Sequence, residues 1–294
     1  MKNFVFPSLC AILVAALTSP ALAAVEIQQV TSPGGINAWL VEEHSIPFTA
    51  LEIRFKGGSA LDAPGKRGAI NLMTGLLEEG AGDLDSRGFS EAREALATSF
   101  TYRVYDDTLA ISARFLTENR DAALALLKSS IKEPNFAQVD IDRVRGQVLS
   151  GIKSRASDPS RIAGQSFDEL VWGDHPYASD RNGTEESVNA LTRDDILTAH
   201  RAVFARDRLY VSAVGDISAA ELGEIIDALL GEIPETGAPL APRADYQLTG
   251  GISVVDFETP QAVALFGHQG ITRDDPDYMI AYILNEVFGG SGLE

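Results

Sequence analysis

The sequence predicts an α+β fold in which an antiparallel sheet has helices packed on one of its faces. Segments with alternating apolar residues and segments with helical apolar spacing occur in groups, which disfavours a parallel sheet built from repeating strand–helix units. Two alternating segments, 100–105 and 109–115, are separated only by Asp106-Asp107-Thr108, in which Asp106-Asp107 supplies the turn. This arrangement is typical of an antiparallel hairpin.

The first strand and the first helix are predicted near the start of the domain. Apolar and charged side chains alternate over 51–56, so one face of this strand is apolar, and Gly57-Gly58 ends the strand. Apolar residues then recur at helical spacing over 67–77, and the glycines within 80–82 end that helix. A second, short helix is predicted at 89–97.

Further helices and one more strand are predicted after the hairpin. Their apolar residues follow the same two periodicities, and a segment rich in Gly, Asp and Pro lies among them. The helices cover 120–131, 139–155, a segment ending at Trp172, 193–203 and 219–230; the strand covers 209–213, and the loop covers 173–183.

A linker divides the chain after the last of these helices. Pro and Gly become frequent over 231–251, so we predict a complete domain at 24–240 and the beginning of a second domain at 241–294. The second unit is predicted to contain strands at 252–257 and 262–267 and a helix at 277–288. These elements bury too little surface to form a core alone, so we expect the second domain to be truncated.

Residues 1–23 are predicted to be a cleavable signal peptide. Lys2 precedes an apolar run that is too short to cross a bilayer comfortably, and Ala21 and Ala23 provide the small residues of a cleavage site. An uncleaved anchor is the alternative. The mature protein is expected in the periplasm, with no later membrane span and, because Cys10 is removed, with no cysteine.

The charge of the chain excludes one large class of partner. The chain carries 42 Asp and Glu against 24 Lys and Arg, for a formal net charge of −18. Nucleic-acid affinity depends on Lys and Arg neutralising phosphates, so we expect no nucleic-acid partner. The acidity otherwise serves solubility, with attraction of a basic substrate as the alternative.

Residues that could bind a metal are scattered along the sequence. No two of the four histidines lie within a helical turn of each other, which disfavours a zinc site in this chain. The sequence also has no G-x-S-x-G, P-loop or G-x-G-x-x-G motif. We therefore expect neither a metal nor another cofactor in this chain. The histidines are His44, His175, His200 and His268.

Several stretches, taken in their order, resemble the insulinase/pitrilysin family of inverzincin zinc peptidases, and in particular its bacterial branch that is similar to the mitochondrial processing peptidase. The resemblance covers nearly all of the mature chain and implies the family's pair of homologous domains. The stretches are Phe55-Lys56-Gly57-Gly58-Ser59, Gly68-Ala69-Ile70, Gly173-Asp174-His175-Pro176-Tyr177, Asn182-Gly183-Thr184-Glu185-Glu186-Ser187, Val214-Gly215-Asp216, Arg273-Asp274-Asp275-Pro276-Asp277-Tyr278 and Phe288-Gly289-Gly290-Ser291-Gly292.

The zinc motif of that family is absent from this chain. The family motif H-x-x-E-H supplies two histidine ligands and a glutamate that activates the zinc-bound water. The matching positions here are Asn71, Thr74 and Gly75, and the position of the third ligand, a later glutamate, is assigned to Gly151. The resemblance is therefore to a zinc-free, non-catalytic member of the family.

Zinc-free members of the family generally partner a zinc-bearing homologue, with which they enclose a chamber for short peptides. The resemblance thus implies a non-catalytic subunit, with zinc expected only in the partner. It also implies that an extended peptide adds to a sheet edge formed by Phe100, Thr101, Tyr102 and Arg103, although these residues could equally be ordinary sheet residues. The alternatives are a peptide-binding or scaffold protein without a peptidase partner and an autonomous metallopeptidase.

Overall fold

The computed structural model describes residues 25–290, so the predicted signal peptide at 1–23 lies outside the described residues. A six-stranded sheet organises the first part of the chain. Its strands are β1 (Gln28–Thr31), β2 (Asn37–Glu42), β3 (Phe48–Lys56), β6 (Ser99–Val104), β7 (Thr108–Leu116) and β8 (Leu209–Gly215), and β4 (Gly80–Ala81) and β5 (Leu84–Asp85) form a separate small hairpin. The strand order in the sheet is β1-β2-β8-β3-β7-β6, and every pair of neighbouring strands is antiparallel except β2 and β8.

One face of the sheet is apolar and forms half of the core. Leu51, Ile53 and Phe55 of β3 are buried, and the charged residues that alternate with them lie on the opposite, solvent-facing side. The Phe55 ring meets Phe204 edge to face, with ring centroids 4.8 Å apart. The alternation of apolar and charged side chains predicted for this strand is confirmed.

Helices provide the other half of the core. Six of them contribute buried residues to the core on the apolar side of the sheet, and the helix Ala69–Leu76, whose residues carry no charge, is almost entirely buried. The helices are α1 (Ala69–Leu76), α2 (Ser86–Ala95), α3 (Arg120–Lys132), α4 (Gln138–Arg155), α5 (Pro159–Trp172), α6 (Glu185–Asn189), α7 (Arg193–Val203), α8 (Ala219–Leu230) and α9 (Tyr278–Val287). No helix between residues 25 and 290 is long and apolar enough to cross a membrane.

The predicted α+β fold is confirmed, and α7 and α8 have the predicted bounds. The sequence did not predict β1, β2, the β4–β5 hairpin or α6. In β2 the buried residues Ala38 and Leu40 alternate with Trp39 and Val41, which are also apolar, so no alternation is visible in the sequence. Its pairing with β8 is made by residues distant in the chain.

The two strands predicted in the second unit are wrong. The structure contains no strand over 252–267, where Ile252 and Phe266 are 93% and 96% exposed. A strand needs a neighbouring strand for its hydrogen bonds, and no other part of the described chain provides one there. A helix closes its own hydrogen bonds, and α9 forms as predicted although its apolar residues are exposed.

Candidate functional site

A pocket of about 650 Å³ lies where α1, α4 and the edge strand β6 meet. The loop between α5 and α6 completes its wall. The lining residues are Asn71, Thr74, Gly75, Tyr102, Arg103, Val104, Tyr105, Val144, Gln147, Val148, Gly151, Arg155, Arg181 and Asn182. The structure thus brings together the four residues at positions that correspond to the family's zinc site and two of the four predicted edge-strand residues, Tyr102 and Arg103.

Helix α1 directs one face into this pocket. Asn71, Thr74 and Gly75 are spaced by three and four residues, so they lie on the same side of the helix. The start of the helix is fixed by Asp62, whose carboxylate accepts hydrogen bonds of 2.8 Å from the backbone amides of Gly68 and Ile70. Burial of the Asp62 side chain raises its pKa to about 6. Thr74 Oγ1 donates to the Ile70 carbonyl, so its hydroxyl is already engaged.

Helix α4 forms the facing wall. Val144, Gln147 and Gly151 follow at helical spacing along one side of it. A Cβ added at Gly75 would lie 3.1 Å from Val144 Cγ1, so the two helices are in close contact at that glycine. A Cβ added at Gly151 would lie 3.4 Å from Nη1 of Arg155. A guanidinium group therefore lies beside the position where the family resemblance places a glutamate ligand.

Strand β6 forms an edge of the sheet and has β7 as its neighbour. Phe100 is buried and its ring packs near Phe89, so its side chain serves the core. The Tyr102 hydroxyl is hydrogen-bonded to Ser130, and burial raises the pKa of this phenol above its ordinary range, which keeps it neutral. Thr101, like Phe100, does not line the pocket.

The donor atoms of the pocket do not suit a zinc ion. Its lining includes no His, Cys, Asp or Glu, which are the side chains that bind zinc in proteins. Between residues 25 and 290, no group of three or more such residues is placed to hold a metal. The histidines have other partners: His44 contacts Asp216, and His175 and His200 contact backbone carbonyls. We derive no catalytic step through a metal in this chain.

Eight further lining residues were not predicted as site residues from the sequence. They are Gln147 and Arg155, four residues either side of Gly151, with Val104, Tyr105, Val144, Val148, Arg181 and Asn182. A helical projection from Gly151 would have found the first two. The loop residues could not be found in this way, because their position depends on Arg67, whose guanidinium donates to the carbonyls of Pro176 and Ser179.

Replacing Gly75 with histidine alone is expected to give neither zinc binding nor peptide cleavage. Asn71, Thr74 and Gly151 would still lack the other ligands and the glutamate base, and the new side chain would press on Val144. The measurements are zinc content of the purified protein and hydrolysis of a quenched-fluorescence peptide. The comparison chain combines Asn71→His, Thr74→Glu, Gly75→His and Gly151→Glu. Cleavage by Gly75→His alone would overturn this prediction.

The fold and the pocket define a peptidase-like α+β protein whose pocket has none of the usual zinc ligands. Residues 38–185 match the family model for insulinase, peptidase family M16, and residues 190–293 match the model for the peptidase M16 inactive domain. The chain belongs to the insulinase family, peptidase family M16. The predicted family is confirmed. The second match begins before residue 241, and the division at that residue stays a prediction.

Relatives carry different names. A Helicobacter pylori protein named non-peptidase homolog YmxG is 27% identical over 99% of this chain and 66% of its own length. A Streptomyces coelicolor protein named uncharacterized zinc protease SCO5738 is 25% identical over 90% of this chain and 59% of its own length. The chain therefore spans less than two thirds of these relatives.

A solved structure shares the fold. The crystal structure of a peptidase M16 inactive domain from Pseudomonas fluorescens superposes with a TM-score of 0.74 at 24% identity, covering 91% of this chain and 65% of that one. At this identity the likeness supports the architecture of the sheet and its helices.

Proposed function

We propose that this protein is a non-catalytic M16 subunit of the periplasm that binds short extended peptides for a zinc-bearing homologous partner to cut. The observation that carries the proposal is the edge strand β6, which lies along a pocket without zinc ligands. Zinc is expected only in the partner, and residues 1–23 are proposed to direct export. The name of the Helicobacter pylori relative, a non-peptidase homolog, supports a role without catalysis.

The hydrogen bonding of β6 defines which backbone groups are free for a peptide. The backbone amide of Tyr105 donates a hydrogen bond to the carbonyl of Thr108, so these two residues form a hydrogen-bonded pair at the end of the antiparallel β6–β7 ladder. Such pairs alternate along an antiparallel ladder, so Arg103 and Thr101 also bond to β7. The backbone amides and carbonyls of the residues between them therefore point outward from the sheet edge. These residues are Phe100, Tyr102 and Val104.

An added peptide strand would pair with these outward groups. Main-chain pairing supplies affinity with little dependence on sequence, and pockets for alternate side chains supply preference. The pocket beside Tyr102 and Val104 is in the position to receive one such side chain or a chain end. This geometry supports recognition of peptides in an extended form.

Replacing Val104 with proline is expected to weaken peptide binding about fivefold, the equivalent of one lost hydrogen bond of about 1 kcal/mol. Proline removes the outward amide and leaves the bonds to β7 intact, as edge strands allow. Val104→Thr keeps the amide and is the matched control. Binding is measured by fluorescence anisotropy with a labelled extended peptide.

Amide hydrogen exchange gives an independent measurement of the same site. On peptide binding, exchange is expected to slow at Phe100, Tyr102 and Val104, while Thr101 and Arg103 are protected in both states because they already bond to β7. Unchanged exchange at all three outward amides in the presence of bound peptide would exclude strand addition at β6.

The partner is tested by co-expression with a zinc-bearing M16 homologue. Co-purification of the two chains, and peptide cleavage by the pair but not by this chain, are the expected results. A chain that stays separate and binds peptides without cleavage would favour the alternative, a peptide-binding or scaffold protein. Stoichiometric zinc in this chain alone, with cleavage, would favour an autonomous peptidase.

A further inference from the structure

The pocket beside β6 is cationic in an otherwise acidic protein. Three arginines line it, and no lining residue is a carboxylate. The whole chain carries a formal net charge of −18, so this local excess of positive charge differs from the general character of the protein. The arginines come from three elements: Arg103 from β6, Arg155 from the last turn of α4 and Arg181 from the loop before α6.

The guanidinium of Arg155 has N–H groups that are free to bind a ligand. Its Nε lies 3.2 Å from the Asp180 carboxylate, and the side chain is 30% exposed. Its Nη1 and Nη2 lie near Gly151, and neither donates a hydrogen bond to any residue between 25 and 290. The other oxygen of Asp180 accepts from the backbone and side-chain amides of Asn182, so this carboxylate is shared between two partners.

Four more polar side chains of the pocket are free to bind a ligand, although those of Thr74, Tyr102 and Asn182 already have partners. Arg103 and Arg181 are exposed, and neither makes an ion pair or side-chain hydrogen bond within the described part of the chain. The side-chain amides of Asn71 and Gln147 also make no hydrogen bond within that part of the chain. Guanidinium and amide groups can all donate hydrogen bonds, so an acceptor with negative charge complements this lining.

We propose that the pocket binds a carboxylate of the peptide that lies along β6, with Arg155 as the main contact and Arg181 assisting. A guanidinium matches the planar carboxylate with two parallel hydrogen bonds, which are stronger and more specific than neutral ones. Where the family resemblance expects a glutamate that binds a cation, this chain has Gly151 and the cation of Arg155 instead. The proposal rests on the proposed function and adds the class of peptide.

A carboxylate can come from the C-terminus of a peptide or from an acidic side chain. Three peptides of one sequence distinguish these sources: a neutral peptide with a free C-terminus, the same peptide amidated, and an amidated peptide with one Glu. We expect the unmodified protein to bind at least one carboxylate peptide about tenfold more tightly than the amidated neutral peptide, and added salt to reduce this preference.

The variants Arg155→Gln and Arg181→Gln are each expected to reduce the preference for the carboxylate peptides over the amidated neutral peptide. The Arg181 side chain makes no ion pair or hydrogen bond with residues 25–290, so its variant is expected to change binding more than folding. Arg87→Gln is the matched control, because Arg87 is 86% exposed on α2 and pairs with Glu91. Thermal unfolding of each variant verifies that it is folded.

The outcomes separate this inference from the proposed function. Equal affinity for all three peptides, or a preference that survives the combined Arg155→Gln and Arg181→Gln change, would overturn the carboxylate site. In that case slowed exchange at Val104 would still support strand addition. If none of the three peptides binds, the proposed function and the carboxylate site both fail.

Discussion

Replacing Gly58 with alanine is expected to destabilise the protein by about 3 kcal/mol, the combined cost of a strained backbone and an overpacked contact. Gly58 has a φ of 36°, and an added Cβ would lie less than 3.0 Å from the Tyr105 carbonyl, the Thr108 amide and the Asp106 carbonyl. These are backbone atoms of the β6–β7 turn, which cannot rotate away. The turn also accepts hydrogen bonds from the amides of Ser59 and Ala60.

Gly146→Ala is the matched control for this prediction. Gly146 lies inside α4 with nothing within 4 Å of an added Cβ, so alanine is expected to stabilise the helix by about 0.5–1 kcal/mol. Urea unfolding monitored by circular dichroism measures both variants. Equal stability of Gly58→Ala and the unmodified protein would show that a Cβ at position 58 does not clash with the β6–β7 turn.

Replacing Arg67 with alanine is expected to cost about 3 kcal/mol at neutral pH, because it leaves a buried carboxylate without its cation. The side chains of Arg67 and Asp62 are 15% and 3% exposed, and their charged atoms lie 3.5 Å apart. Arg67 also donates to the carbonyls of Ser59, Pro176 and Ser179. The variant therefore releases the loop that carries Arg181, and it should weaken binding of carboxylate peptides.

The cost of losing Arg67 should depend on pH in a defined direction. Burial raises the folded-state pKa of Asp62 to about 6, above its ordinary value of 3.8, so this group reduces stability as pH rises through that window. Arg67 lowers that pKa, and without it the folded-state pKa rises further. The difference in unfolding free energy between the two proteins is therefore expected to be larger at pH 8 than at pH 4.

Arg87→Ala is the matched control, because Arg87 is an exposed arginine whose pairing with Glu91 on α2 is worth about 0.5 kcal/mol or less. Urea unfolding at pH 4, 6 and 8 measures all three proteins. In the variant Arg67→Ala with Asp62→Asn, the pH dependence due to Asp62 should disappear. A cost of Arg67→Ala that is the same at all three pH values would contradict the role assigned to the ion pair.

Local periodicity predicted much of the fold. The alternation in β3, β6 and β7 and the helical spacing of α7 and α8 each lie within one segment, so the sequence carries them without tertiary information. The strands predicted over 252–267 are absent because a strand depends on residues outside its own segment. Apolar alternation there identifies a face that could be buried, but a strand forms only beside another strand.

The sequence by itself determined the α+β class and the substituted residues at the four positions that resemble the zinc motif. Only the tertiary structure decided that these positions share one pocket with β6, because α1, α4 and β6 are distant in the chain and meet by packing. It also decided which polar groups line that pocket. No sequence pattern identifies Arg155 and Arg181 as pocket residues. They lie in the same pocket because Asp180 contacts Arg155 and because Arg67 holds the loop that carries Arg181.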